Sequence, residues 1–450
     1  MLIEFAISNF RSIKDRQVFS MLPSDRVKDR TVKLLTSQNY PNLSVLPAAV
    51  IYGKNNAGKS NFIRAFRALE WLVLNSHKIT VGDSLDANEH FLLNSETLEM
   101  PTLFELDFIA SNGVRYLLII EFNREKIIRE ELFMFSQSAT GKTTKRKWYI
   151  RNAGQSIQFG DELKGAKKPI EDRLLENVLF LSKAVNENNA QLRPIFEFFQ
   201  QGIYVTDMQE GYIDFQTRYF GKLSTEKDGS TKMETLNIAL DGIDSGILYL
   251  EVAKNSTLPK NFEVGGKDDG ELSENERIQR DKILDTLKHE IKAIHRFFDG
   301  NEEKGVFALP LNEESEGTRK FIALFTKLME LQESGSLFIV DELERSLHPL
   351  LVQFLLQLIT NRQNNRNNVQ LIFTTHDTTI FDVLDQDQIN ILEKDVYGAT
   401  SVYTISDIKG IRGDIPTQKW YLSGKLGGTP NINSYQINKA LSTLNEQENK

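Results

Sequence analysis

The chain has 450 residues, a net charge of −8, 40% apolar and 26% charged residues, and no cysteine. That is enough chain for two or three ordinary globular domains, and it excludes disulfides, thiolate metal sites and cysteine nucleophiles. The acidic balance gives no overall attraction to nucleic acid or to an anionic membrane, so a DNA contact would need a local basic patch. Glu4 in an N-terminus without a long apolar core argues against a signal peptide, and no stretch of about 18 apolar residues predicts a membrane span. A cytoplasmic protein is expected.

Residues 2–7 read as a strand, followed by Asn9-Phe10-Arg11-Ser12, and residues 18–21 as its hairpin partner. Residues 24–42 are polar and loop-like. The apolar run at 48–52 reads as a buried strand. It enters Gly53-Lys54-Asn55-Asn56-Ala57-Gly58-Lys59-Ser60, which fits the phosphate-loop pattern G-x-x-x-x-G-K-[ST] without a mismatch. Phe62, Phe66, Leu69 and Val73 then recur at helical spacing. Strand, glycine loop and helix are what phosphate binding requires. The glycines let backbone N–H groups turn inward, and the helix N-terminus adds positive partial charge. Lys59 would meet the β- and γ-phosphates of ATP, and the Ser60 hydroxyl would ligate Mg²⁺. Gly53, Asn55, Asn56, Ala57, Gly58, Lys59, Ser60 and Asn61 are the expected nucleotide-binding residues here.

From 100 to about 151 the pattern changes to alternating strands, with candidates at 103–109, 116–122, 127–135 and 147–150, an antiparallel lobe. Its basic tip, Gly141 to Lys147, reads as a solvated hairpin, with a nucleic-acid contact as the alternative. Residues 170–201 read as helical, 233–248 as a second amphipathic segment, 255–276 as a polar surface loop and 274–294 as a charged helix. The expected division is 1–99 and 301–450 as two halves of one core, 100–160 as the β lobe and 161–300 as a helical insertion or lid. The fold class is α/β with a mostly parallel phosphate-loop sheet.

Residues 336–342 form an apolar strand ending in Asp341 and Glu342. Acids at such a strand end lie where ligands bind in open α/β sheets. Asp341 would hold Mg²⁺ through water, and Glu342 would orient or deprotonate the attacking water. Ser315 and Gly317, in Glu314-Ser315-Glu316-Gly317-Thr318-Arg319-Lys320, precede an amphipathic helix and could form a second anion site or a simple cap. Ser346-Leu347-His348-Pro349 follows Glu342, with Pro349 suited to a first helical turn. The apolar strand at 369–374 delivers His376, which could bond the γ-phosphate or position water.

In this order the motifs resemble the ABC-type ATPase heads of SMC and other chromosome-repair proteins. The resemblance implies that Asn9 to Ser12, with Arg11 at the nucleotide, is the N-terminal strand motif. It likewise implies that Ser315, Gly317, Thr318 and Arg319 are a divergent signature acting in trans, that Ser346, Leu347 and His348 are the D-loop, and that His376 is the switch histidine. The wording of 314–320, 341–349, 374–377 and Gly424-Lys425-Leu426-Gly427-Gly428-Thr429-Pro430 is similar to the bacterial anti-phage ATPases of the RloA and AbiL type, relatives of the OLD, Septu and PARIS ATPases. One chain offers one phosphate loop and one signature, so a closed arrangement needs a second copy, and a homodimer is expected. Glu316 stands where such signatures carry glycine, and no glutamine loop is found between 75 and 100, so slow ATP hydrolysis is expected. OLD-type proteins carry a fused Toprim nuclease, whereas about 70 residues follow His376 here, fewer than the roughly 100–150 of a typical domain. The expected function is therefore an ATPase sensor or scaffold of anti-phage, abortive-infection defence that controls a separate nuclease or RloB-like effector in trans. The alternative is a DNA-maintenance ATPase that binds DNA directly.

Overall fold

The computed structural model describes all residues except 29, 138–140, 228, 256–273, 412–414 and 449–450. Among the described residues, two large sheets face each other. The core sheet runs, in spatial order, Ile203–Thr206, Leu337–Val340, Gln370–Thr374, Ala48–Tyr52, Ile389–Lys394 and Thr400–Thr404. Its first five strands are parallel and the last is antiparallel. Strands buried on both faces must be apolar throughout. Ala48, Val50 and Tyr52 accordingly face one core with Phe338, Val340, Leu371 and Phe373. Ala49 and Ile51 face the other with Leu337, Ile339 and Ile372.

The second sheet is antiparallel, in the order Gln158–Phe159, Thr143–Asn152, Ile127–Gln137, Arg115–Phe122, Thr102–Ile109, Leu2–Ser8 and Gln17–Ser20. The N-terminal strand and its hairpin partner therefore join the 100–160 lobe rather than the core sheet. Gln370 stitches the two sheets: its Nε2 donates to the carbonyls of Leu2 (3.0 Å) and Leu46 (3.3 Å), and its Oε1 accepts the Leu2 N–H (2.6 Å). Between the sheets lies the helix Lys59–Asn75, whose Phe62, Ile63, Phe66, Leu69 and Val73 are buried at helical spacing. The helices Glu316–Ser334 and Pro349–Thr360 cover the opposite face.

Several expectations are corrected. The 161–300 segment is not wholly helical, because Ile203–Thr206 is an edge strand of the core sheet. Tyr249–Lys254, His289–Asp299 and Glu302–Pro310 form a third, antiparallel sheet. The charged helix expected over 274–294 stops at Leu287. After it, buried His289, Ile291 and Ala293 alternate with half-buried Glu290 and Lys292, which is a strand period rather than a helical one. Residues 170–201 hold separate short helices, Lys167–Glu171, Phe180–Asn186 and Arg193–Gln201, the last opened by Pro194. The second amphipathic segment is the helix Gly229–Gly242. Most of the polar loop expected at 255–276 lies outside the described residues. No described helix is long and apolar enough to cross a membrane.

Glu130 is fully buried in the antiparallel sheet. It accepts from the Tyr149 hydroxyl (2.7 Å) and from the Phe180 (2.7 Å) and Leu181 (2.9 Å) N–H groups, and faces the Arg151 guanidinium at 3.4 Å. The carboxylate thus answers the unpaired amides that open the Phe180–Asn186 helix. Glu130→Ala leaves those amides and the Tyr149 hydroxyl without their acceptor, and the buried Arg151 charge with only the Leu175, Glu176 and Val178 carbonyls to meet it. It should cost about 3–5 kcal/mol, read as a lower urea midpoint at unchanged slope.

Candidate functional site

The loop from Gly53 to Ser60 leaves the core sheet at the end of Ala48–Tyr52, all five of whose residues are buried. Gly58 has φ +110°, and a Cβ there would stand 2.6 Å from Thr400 Oγ1 and 2.7 Å from Ser12 Oγ, so only glycine fits. Neighbours from both ends of the chain brace the loop. Thr400 Oγ1 donates to the Ala57 carbonyl (2.8 Å), Asn61 Nδ2 to Ser12 Oγ (2.8 Å), and Lys394 Nζ to Asn56 Oδ1 (3.1 Å). Behind it, the Gly428 N–H donates to Glu393 Oε1 (2.8 Å), close against Gly53. Arg11 Nε donates to Asn61 Oδ1 (2.8 Å), and its guanidinium is paired with Glu89. Asn9 is buried, its Nδ2 donating to the Thr97 (2.9 Å) and Met100 (2.7 Å) carbonyls.

Lys59 lies folded over this loop, 8% exposed. Its Nζ donates to the Gly53 carbonyl (2.9 Å) and meets His376 Nε2 at 3.1 Å. With lysine as donor, Nε2 is the acceptor, which places the ring proton on Nδ1. Burial lowers the Lys59 pKa, against the opposing pull of Asp341, Glu342 and Glu344. Burial and then the Lys59 charge lower that of His376, so the imidazole is neutral at pH 7.

Asp341 and Glu342 open a tight turn after Leu337–Val340. Thr374, fully buried at the end of the neighbouring strand, donates its hydroxyl to Asp341 Oδ1 and accepts the Glu342 N–H (2.8 Å). Glu342 is exposed with φ +52°, and Ser346 closes the turn at φ +62°. Leu347 is buried, and His348 caps the helix Pro349–Thr360, its Nδ1 accepting the Leu350 N–H at 3.3 Å.

Ser315 caps Glu316–Ser334, its Oγ accepting the Thr318 N–H (3.1 Å) and meeting Thr318 Oγ1 at 2.8 Å. Arg319 pairs with Glu210. Among the described residues, no hydrogen bond of Ser315, Thr318 or Arg319 reaches the Gly53–Ser60 loop. Ser315 and Glu316 face solvent. The Gly317 backbone lies against the turn, where a Cβ would stand 2.5 Å from the Ser346 carbonyl.

Some neighbours escaped the sequence reading. Glu344 Oε1 accepts the His376 backbone N–H at 2.8 Å, and its buried Oε2 has no hydrogen-bond partner among the described residues. Its signal was the third acid in Asp341-Glu342-Leu343-Glu344. Lys320 is buried, its pKa pushed down to about 8 by desolvation. Asp207-Met208-Gln209 follows the core strand beside Leu337–Val340, and the Thr206 carbonyl accepts the Asp341 N–H at 2.9 Å. Gln209 thus follows a core strand that borders the Asp341 turn, well outside residues 75–100.

No cluster of three His, Cys, Asp or Glu side chains suited to a metal occurs among the described residues. Mg²⁺ does not ask for one. It keeps several waters and takes one or two hard oxygen ligands plus substrate phosphates, and the Ser60 hydroxyl and Asp341 carboxylate are of that type.

Compared with known families, residues 48–382 match "AAA domain, putative AbiEii toxin, Type IV TA system". The chain belongs to this AAA family, and its buried strand, glycine loop and helix over 48–75 have the form of a P-loop. Among solved structures, the SMC head domain from Thermotoga maritima is similar at a TM-score of 0.37 and 14% identity, over 90% of this chain and 98% of that one. The recombination mediator protein RecF with ATP is similar at 0.32 and 12%, over 89% and 97%. No curated protein sequence matches.

Thr374→Val removes the hydroxyl that holds the Asp341 carboxylate and the Glu342 backbone N–H. It should cost about 1–3 kcal/mol in thermal unfolding, where Thr374→Ser should recover most of the loss.

Proposed function

We propose that this chain binds and hydrolyses ATP where Lys59, His376 and the Asp341–Glu344 turn gather, and that two copies close around two nucleotides. The observation that carries the reading is that convergence at the ends of adjacent parallel strands, with Ser315 turned to solvent. In it, Lys59 leaves the Gly53 carbonyl for the β- and γ-phosphates, and the amides from Gly53 to Ser60 surround the phosphate oxygens. Ser60 and Asp341 hold Mg²⁺, which when bound neutralises phosphate charge. Glu342 accepts a proton from the attacking water as its oxygen bonds the γ-phosphorus, and the bond to the ADP oxygen breaks with its electron pair leaving on ADP. His376, released by Lys59, is free to contact the γ-phosphate or that water. Arg11, its charge met by Glu89, braces the loop through Asn61. Ser315, Gly317, Thr318 and Arg319 complete the partner copy's site, with Glu316 slowing closure by its negative charge.

The biological role proposed is a nucleotide-switched sensor of bacterial anti-phage defence that governs a separate effector. Two features support it: the toxin–antitoxin context in the family's description, and the RloA-like wording of 314–320 and 341–349. The DNA-maintenance reading depends on the basic hairpin. There Lys145 lies over the Phe133 ring (3.8 Å) and Arg146 pairs with Glu162 (3.3 Å), which favours the solvated reading.

Lys59→Ala should weaken ATP binding by at least about tenfold in equilibrium titration, because phosphate charge goes unanswered. Glu342→Gln keeps the shape but cannot take a proton. It should bind ATP normally, lose about 10²-fold or more in turnover and accumulate as an ATP-bound dimer in size-exclusion light scattering. Wild-type turnover in Glu342→Gln removes the assignment of the base. Cells carrying the protein with its neighbouring genes should lose phage protection on Lys59→Ala; unchanged protection removes the nucleotide-switch role.

A further inference from the structure

Lys320 has no part in the reaction just described, yet it is among the most deeply buried charged groups of the chain, 1% exposed in the second turn of the Glu316–Ser334 helix. A buried ammonium ordinarily pairs with a carboxylate. Here Nζ donates instead to two backbone carbonyls of a single turn, Glu342 at 3.1 Å and Arg345 at 2.8 Å. The carboxylates of Glu344, Glu316 and Glu342 act on it only through space, against the Arg345 charge.

The turn it grips is unusual. Both Glu342 (φ +52°) and Ser346 (φ +62°) sit in the left-handed region without being glycine, a conformation that persists only where the surroundings over-determine it. The helix supplies that constraint at two points. Lys320 holds the carbonyls of Glu342 and Arg345, and the bare Cα of Gly317 lets the backbone close on the Ser346 carbonyl. The same first turn of this helix presents Ser315 to solvent.

We propose that Lys320 is a positioning residue that couples the two nucleotide sites of the dimer. This rests on the two-site reading above, in which Ser315 to Thr318 meet the partner's nucleotide while Glu342 serves the chain's own. Docking of the partner's phosphate fixes the N-terminus of the helix. Lys320 carries that placement to the peptide of Glu342 and sets where its carboxylate points. The element that moves is the left-handed turn at Glu342, which Lys320 ties to the helix so that its placement follows that of the helix start. Hydrolysis at either site then requires both to be filled.

The test uses the full chain as wild type, Lys320→Met and Lys320→Arg. ATP affinity is measured by equilibrium titration, dimer formation by light scattering, turnover across ATP concentration, and folding by thermal unfolding. Lys320→Met should bind ATP within about twofold of wild type and still dimerise, while kcat falls by about tenfold or more and the Hill coefficient drops from near 2 to about 1. Lys320→Arg, which can still reach both carbonyls, should recover most of kcat and the cooperativity. Unchanged kcat and Hill coefficient in Lys320→Met overturn the inference. So does equal loss of affinity and turnover with no recovery in Lys320→Arg, which marks a merely structural lysine. Should Lys320→Met fail to fold, Lys320→Gln, whose shorter amide cannot hold both carbonyls, decides in its place: it should lower kcat and cooperativity with affinity kept, and wild-type kinetics there overturn the inference. Wild type that stays monomeric with ATP fails the two-site reading itself, and that result is visible before any variant is made.

Discussion

Parallel pairing with matched registers is the constraint that makes a site out of segments nearly three hundred residues apart. Val340 pairs with Phe373, Thr374 with Ile51, and Tyr52 with Ile391. The strands ending at Val340, Thr374 and Tyr52 therefore stop within about two residues of one another, and the residues that follow them, Asp341, Thr375 and Gly53, emerge at the same edge of the sheet. A one-residue slip in any of these pairings would reverse the alternation that feeds two separate cores. Burial on both faces thus forbids the slip, and hydrophobic packing fixes the placement of polar groups that contribute nothing to that packing.

The electrostatics of the site are self-consistent as it stands. Lys59 finds an acceptor in the Gly53 carbonyl and another in His376, and the nearby acids Asp341, Glu342 and Glu344 keep its charge favourable despite burial. The ammonium is held close to the loop it would serve, and a polyanion arriving there offers a stronger partner than a neutral carbonyl and imidazole. The lysine–imidazole contact also sets the tautomer of His376, so one displacement alters two groups together.

What the sequence disclosed depends on the kind of signal. The phosphate loop was legible because backbone geometry dictates residue types at fixed spacing, Gly58 above all. Asp341, Glu342 and His376 were legible as polar residues ending apolar strands. The edge strand Ile203–Thr206 was hidden because Ile-Tyr-Val-Thr, four residues directly after a helix, is too short to carry a period of its own. Glu344 needed coordinates, since only folding brings its oxygen to the His376 amide. Arg11 was expected at the nucleotide from a family motif, but Glu89 and Asn61 engage it. Lys320 read as one more charge near a helix start, where solvent would be the ordinary expectation. The destination of the N-terminal strand was set by pairing with Thr102–Ile109, a contact across about a hundred residues that local pattern does not encode.

The close approach of Gly428 to Gly53 has a practical corollary. The tail from Tyr421 to Gly428 is the back wall of the phosphate loop, pinned by the Tyr403 hydroxyl on the Leu426 carbonyl and by Glu393 on the Gly428 amide. The Ser434–Glu448 helix beyond it shows exposed Tyr435, Ile437 and Leu441 to solvent. A reporter fused beyond that helix leaves the wall standing. Trimming the chain back past residue 428 takes away the surface on which the first glycine rests, a lesion at one terminus felt at the far side of the sequence.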